Sequence, residues 1–169
     1  MDVYDAIRQR RSVRKFEDRD IEDDVLTRVL DAGILAPSAR NTQEWKCVVV
    51  RDAETINRLA EASEQEFIAR AKVVVAVVSL DPDRKMYCGI PVGPVDCAIV
   101  IDHMTLAGVA EGLGSCWIGH FDQDKCCTIL DVPPPAKIIE MLVMGYPADT
   151  PGEKKRKSPA DLICREKFS

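Results

Sequence analysis

Arg10-Arg11-Ser12-Val13-Arg14-Lys15-Phe16 sets three guanidinium groups and a hydroxyl around two apolar residues, Val13 and Phe16. A guanidinium is a planar fork of donors that matches phosphate or carboxylate bidentately and stays charged at any working pH. Val13 and Phe16 give the segment something to bury, so its charges can be held in place, which a merely solvated basic face cannot do. The stretch reads as a local anion site with its own anchor. An Arg-Arg pair at a helix end can equally satisfy terminal carbonyls and complement the helix dipole, so the flanking sequence has to arbitrate.

The chain around it has 169 residues, enough for one domain with a continuous core. Its net charge of −5 gives no global pull toward nucleic acid or an anionic membrane, so neither is expected as a partner. The N-terminus, Met1-Asp2-Val3-Tyr4-Asp5, lacks a basic and apolar secretory pattern, and a cytoplasmic location is expected. The longest apolar region, 92–113, is broken by Asp96, Asp102, His103 and Glu111, which argues against a membrane span. The seven cysteines show no Cys-x-x-Cys spacing, and only His103 and His120 are available to help them. No metal centre is expected.

Taken in order, 3–10 is predicted as a short helix that leads into the arginine cluster. A second helix is predicted over 21–35, with Val25, Leu26, Val29, Leu30 and Ala32 at helical spacing. The stretch 36–45 is a polar loop closed by Trp45, with small hydroxyl and amide groups suited to a planar ligand, and 46–51 is a strand. A helix follows over 53–63, continued loosely through Phe67 and Ile68. The β-branched run 73–80 is predicted as a central strand buried on both faces. After a loop at 85–94, residues 96–112 form a helix apolar over most of its circumference, which must be buried on more than one side. His103 there reads as a satisfied core or interface histidine. Strand 115–118 runs into Gly119-His120-Phe121-Asp122, where Gly119 lets backbone approach a ligand and Asp122 can cap helix 123–130. A last strand spans 137–144, followed by a basic tail in which Lys154 and Arg156 can join the first arginine cluster, with Leu162, Ile163 and Phe168 as sparse anchors. Gly-x-Gly-x-x-Gly, P-loop, Gly-x-Ser-x-Gly and His-Glu-x-x-His motifs are all absent, which directs the chemistry to a bound cofactor.

Four stretches in order, namely 10–16, 36–45, 113–119 and Lys154 with Arg156, together resemble the nitroreductase family of flavin enzymes across nearly the whole chain. The resemblance implies a single α+β domain over 1–169 with a mostly antiparallel central sheet flanked by helices. It further implies an intertwined homodimer with two FMN sites at the interface, and 150–169 as a C-terminal extension over the partner subunit. By position, Arg10, Arg11 and Ser12 would contact the FMN phosphate with Lys154 and Arg156 closing around it, and Arg14 would reach the pyrimidine edge of the flavin. A cation there favours the negative charge that develops near N1 and O2 on reduction. Pro37, Ser38, Ala39 and Asn41 match the loop that the second subunit lays against the ring. Ile118, Gly119 and His120 match the segment whose backbone amide faces flavin N5, with Gly119 and His120 the candidates nearest the chemistry. Gln65 is the candidate polar contact from the middle of the chain.

The implied activity is a ping-pong cycle in which NADH or NADPH gives hydride to flavin N5 and leaves, and a small-molecule electron acceptor takes its place. Nitroaromatics, quinones, enones and free flavin all qualify. A non-catalytic FMN-binding or storage protein, and a flavin-consuming or dehalogenating relative, are the alternatives. Three positions depart from the family pattern: Glu44 where proline usually precedes Trp45, Lys72 where proline usually precedes the 73–80 strand, and His120 where short members carry a small residue. His120 would either donate a proton to substrate or narrow the pocket.

Overall fold

Strand β2, Val73–Ser79, is buried along its whole length, as an uninterrupted β-branched run requires when both faces of a sheet are covered. In this computed structural model, which describes residues 1–150 and 152–168, β2 lies inside a four-stranded sheet of order β1-β2-β4-β3. β1 is Trp45–Val50, β3 is Gly114–Ile118 and β4 is Lys137–Gly145, and every neighbouring pair is antiparallel. The expected α+β fold with an antiparallel sheet is what the chain adopts.

Helices cover both faces. On one side α2, Asp23–Ile34, and α4, Val92–Ala110, bury Val29, Val100, Ile101 and Met104 against Val73, Val75 and Val77. On the other, α3, Ala53–Ala62, and α5, Gln123–Ile129, bury Ile56, Leu59 and Cys126 against Val74, Ala76 and Val143. The alternation of the valines along β2 thus divides the core into two layers. Asp52 and Asp122 cap α3 and α5 by accepting from Thr55 N at 2.8 Å and Lys125 N at 3.0 Å. α4 is long and apolar enough to cross a membrane by length and composition, yet here it packs on the sheet as the core helix. His103 on it hydrogen-bonds the Ala32 carbonyl at 3.2 Å, the structural role expected of it.

The structure departs from expectation most at α4, at the end of α3 and in the tail. α4 begins at Val92 rather than 96, with Pro94 in its first turn. Proline is tolerated there because the first four N–H groups of a helix have no intrahelical acceptor. α3 stops at Ala62, and the following turn, Glu66–Arg70, is a separate 3₁₀ segment beyond Glu64 at φ +52°. Leu162, Ile163 and Phe168, expected as sparse anchors, are largely exposed, with Phe168 fully so.

Candidate functional site

α1, Val3–Gln9, ends at Arg10 and releases the chain along the outer edge of β3. Ser12 bridges Ser115 in parallel fashion, and Val13 N donates to Ser115 O at 2.9 Å. Val13 is buried at 5% exposure, while Phe16 packs on the core beside Gly145. Two glycines make room for these anchors. A Cβ on Gly114 would lie 2.7 to 2.9 Å from all three Val13 side-chain carbons, and one on Gly145 would lie 2.9 Å from the Phe16 ring. The anchored basic segment predicted from sequence is therefore built as a strap seated by Val13 and Phe16, with Arg14 exposed between them and Arg10 and Ser12 just before.

The basic tail returns to this strap. Lys154 Nζ donates to the Ile7 carbonyl at 2.6 Å, and Arg11 Nε donates to the Gly152 carbonyl at 3.1 Å. Partial burial and the neighbouring guanidinium groups of Arg10, Arg11 and Arg156 push the Lys154 ammonium below its ordinary pKa. Among the described residues, no carboxylate pairs with Arg10, Arg11, Lys154 or Arg156. Four cations thus converge with no paired carboxylate, although Arg11 also caps the end of α1, donating to the Arg8 and Arg10 carbonyls at 2.6 and 2.9 Å. Beneath them Cys116 on β3 is buried, which raises its thiol pKa, although Arg14, Ser12 and Arg10 oppose the rise.

Further along the same side, Arg14 stands over the Phe67 ring at 5.8 Å, a cation–π contact that fixes its direction. Gln65 Nε2 donates to the His120 carbonyl at 3.2 Å, so the predicted middle-segment residue and the predicted end of β3 meet. Ile118 is buried, whereas Gly119 and His120 are exposed, and a Cβ on Gly119 would meet nothing within 4 Å. The space before Gly119 is open. Phe67 was not foreseen; its only sequence signal is an aromatic two residues beyond Gln65.

Pro37, Ser38, Ala39 and Asn41 lie elsewhere. Their loop leads into β1, the strand at the opposite edge of the sheet from β3, about 14 Å away at the usual strand spacing. The loop is tightly tied. Gln43 N donates to Ser38 Oγ at 3.0 Å, and Ala39 N donates to both oxygens of Asp96 at 3.1 and 3.2 Å. Arg84 pairs with Glu44 and donates to Thr42 Oγ at 3.0 Å. Arg40, Asn41 and Gln43 all hold positive φ. One chain thus gathers Arg10, Arg11, Ser12, Arg14, Gln65, Ile118, Gly119, His120, Lys154 and Arg156 along its β3 side and leaves the four loop residues at the other edge. Asp96 and Arg84 escaped sequence reading because neither is close in sequence to the loop it grips.

Comparison with known proteins gives a consistent result. A family model described as the nitroreductase family matches residues 7–73 and 62–146. A protein of Methanothermobacter thermautotrophicus named "Putative NADH dehydrogenase/NAD(P)H nitroreductase" is 31% identical over 172 residues, covering 99% of this chain and 88% of that protein. A Bacillus subtilis protein named "FMN reductase [NAD(P)H]" is 28% identical, covering 92% of this chain and 70% of its own length. The crystal structure of a nitroreductase family protein from Clostridium difficile 630 is 28% identical and superposes with a TM-score of 0.90, covering 99% of this chain and all of that one.

Proposed function

Since this chain belongs to the nitroreductase family, we propose that it is an FMN-dependent oxidoreductase that draws electrons from NADH or NADPH and works as a homodimer with two flavin sites. The observation that carries the reading is the convergence of Arg10, Arg11, Lys154 and Arg156 without a carboxylate, a donor set suited to a phosphate dianion. The open front of Gly119 and the cation of Arg14 suit a flat, electron-accepting ring beside it. FMN held there would supply two-electron hydride chemistry between a reduced nicotinamide and an acceptor such as a nitroaromatic, quinone, enone or free flavin.

The chain's own residues bind and orient. Arg10, Arg11, Ser12, Lys154 and Arg156 hold the phosphate, and Arg14 favours negative charge at the pyrimidine edge. Gln65 fixes the His120 carbonyl and with it the Gly119 backbone. His120 is exposed, placed to give a proton to substrate or to narrow its access. Pro37, Ser38, Ala39 and Asn41 serve the flavin of the second subunit, because a single chain keeps them at the far edge of the sheet. Exposed Val3, Tyr4 and Ile7 on α1, and Leu162, Ile163 and Phe168 in the tail, supply apolar surface for that second subunit, and the C-terminal extension lies over it. A cytoplasmic setting agrees with the free thiols of Cys47, Cys88, Cys97, Cys116, Cys126 and Cys127.

The test is an anaerobic visible spectrum after FMN reconstitution and gel filtration. Retained flavin bands should bleach on addition of NADH or NADPH and return with an acceptor such as a quinone. Bands that stay oxidised with both donors would turn the reading to a carrier, and failure to retain flavin would remove the cofactor assignment.

A further inference from the structure

The loop at the β1 edge has a conformation its own sequence does not favour. Arg40, Asn41 and Gln43 adopt φ of 56°, 55° and 52°, where a Cβ crowds the following carbonyl. Such residues persist when surrounding structure over-determines them, and they concentrate where a ligand needs a prepared surface. Bonds inside the loop, such as Gln43 Nε2 to Asn41 O at 3.0 Å, supply part of that restraint. Two charged side chains from outside supply the rest.

Asp96 is 6% exposed, and both its oxygens face the single N–H of Ala39 at 3.1 and 3.2 Å. Among the described residues no cation lies within ion-pair distance of it. Burying a carboxylate for one backbone donor is unfavourable compared with an apolar side chain of similar size, so packing alone does not account for the residue. From the other side Arg84 donates to the Ala39 carbonyl at 3.4 Å and to Thr42 Oγ at 3.0 Å, and it pairs with Glu44. Both the N–H and the C=O of Ala39 are therefore gripped, one by an anion and one by a cation. Glu44, which replaces the proline usual before the tryptophan, acquires a role as the partner of Arg84.

We infer that Asp96 and Arg84 are positioning residues that brace the Pro37–Asn41 loop, before any flavin arrives, in the shape it presents to the flavin ring of the second subunit. The inference rests on the flavin reading above. Its mechanism is preorganisation: a loop already ordered loses less conformational freedom on binding.

The test compares the full-length protein with Asp96→Ala, Asp96→Asn and Arg84→Met. Hydrogen exchange at the Ala39 amide is followed before FMN is added, and FMN affinity is then measured by quenching of flavin fluorescence. Asp96→Ala should speed Ala39 exchange and weaken FMN binding, each by about tenfold, the scale of one hydrogen bond to a charged group. Asp96→Asn keeps an acceptor oxygen and should restore both to within about threefold of wild type. Arg84→Met should weaken FMN binding by roughly three- to tenfold. Wild-type exchange and affinity in Asp96→Ala would overturn the brace, and so would loss of FMN affinity with Ala39 exchange unchanged, because the proposed role acts through that amide. Should Asp96→Ala not fold, Arg84→Met decides alone, and unchanged exchange and affinity in it overturn the inference. Failure of the wild-type protein to bind FMN strikes the flavin reading and the loop's role toward it, while the exchange comparison still decides whether the brace exists.

Discussion

Replacing Arg10 and Arg156 together by alanine should strip FMN from the protein while leaving the fold intact. Each guanidinium lost from a phosphate removes a charged hydrogen bond of about 1–3 kcal/mol. The pair together should therefore raise the FMN dissociation constant by roughly 30-fold to more than 10⁴-fold. Neither side chain contributes to the hydrophobic core, since Arg10 is half-buried at a helix end and Arg156 is exposed. Thermal unfolding without flavin should scarcely change. A fluorescence titration with FMN decides the matter, and wild-type affinity in the double variant would sink the phosphate assignment. The pH profile carries a second signature. Lys154 is held below its ordinary pKa by burial and by Arg10, Arg11 and Arg156. A bound phosphate favours its charged form, so FMN affinity is fully present below the depressed pKa and falls as pH rises through it. Removing two of the neighbouring cations lets Lys154 recover, and the fall should move to higher pH.

Gly114→Ala should destabilise the protein by about 1–3 kcal/mol, the range for overpacking a filled site. The added methyl would meet Val13 Cγ2, Cβ and Cγ1 at 2.7, 2.8 and 2.9 Å. Rotation about χ1 cannot relieve the clash because the Val13 Cβ is itself one of the contacts, and the Val13 N–H is bonded to Ser115 O. The strap must then lift, which carries Arg10, Ser12 and Arg14 away from their places. Flavin affinity should fall along with melting temperature, each kcal/mol lowering the latter by about 2–4 °C in a chain of this size. Gly119→Ala is the contrasting variant, since its methyl would enter open space. Stability should stay within about 0.5 kcal/mol of wild type, while bleaching of bound flavin by NADH or NADPH slows. Equal melting temperatures for the Gly114→Ala and wild-type proteins would show that the strap is not seated as described.

The parts legible in the sequence were those dictated by local pattern. The valine run announced β2 because a strand covered on both faces needs no polar alternation, and Asp122 announced the start of α5 because its side chain caps within its own turn. Pro94 misplaced the start of α4, since a helix breaker in the interior is harmless in the first turn. Arg10, Arg11, Ser12 and Arg14 were readable as one anchored basic segment because they cluster in one stretch. The union of Gln65 with the His120 carbonyl, and of Arg14 with Phe67, was beyond pattern reading, because each joins groups that only the chain's path brings together. The bracing of Ala39 by Asp96 is a contact across 57 positions, and an acidic residue near a helix start has an ordinary explanation in the helix dipole.

On the reading proposed above, the arginine strap and the Pro37–Asn41 loop, at opposite edges of one sheet, make each copy the bearer of two unlike half-sites. This has a genetic consequence. In a mixed pair, a chain with Arg10→Ala and Arg156→Ala beside a chain with Asp96→Ala concentrates both lesions in one composite site. The other is assembled wholly from sound halves. Two alleles that each bind FMN more weakly when expressed alone would therefore complement each other in the same cell, and random pairing would yield roughly one site in four with wild-type affinity.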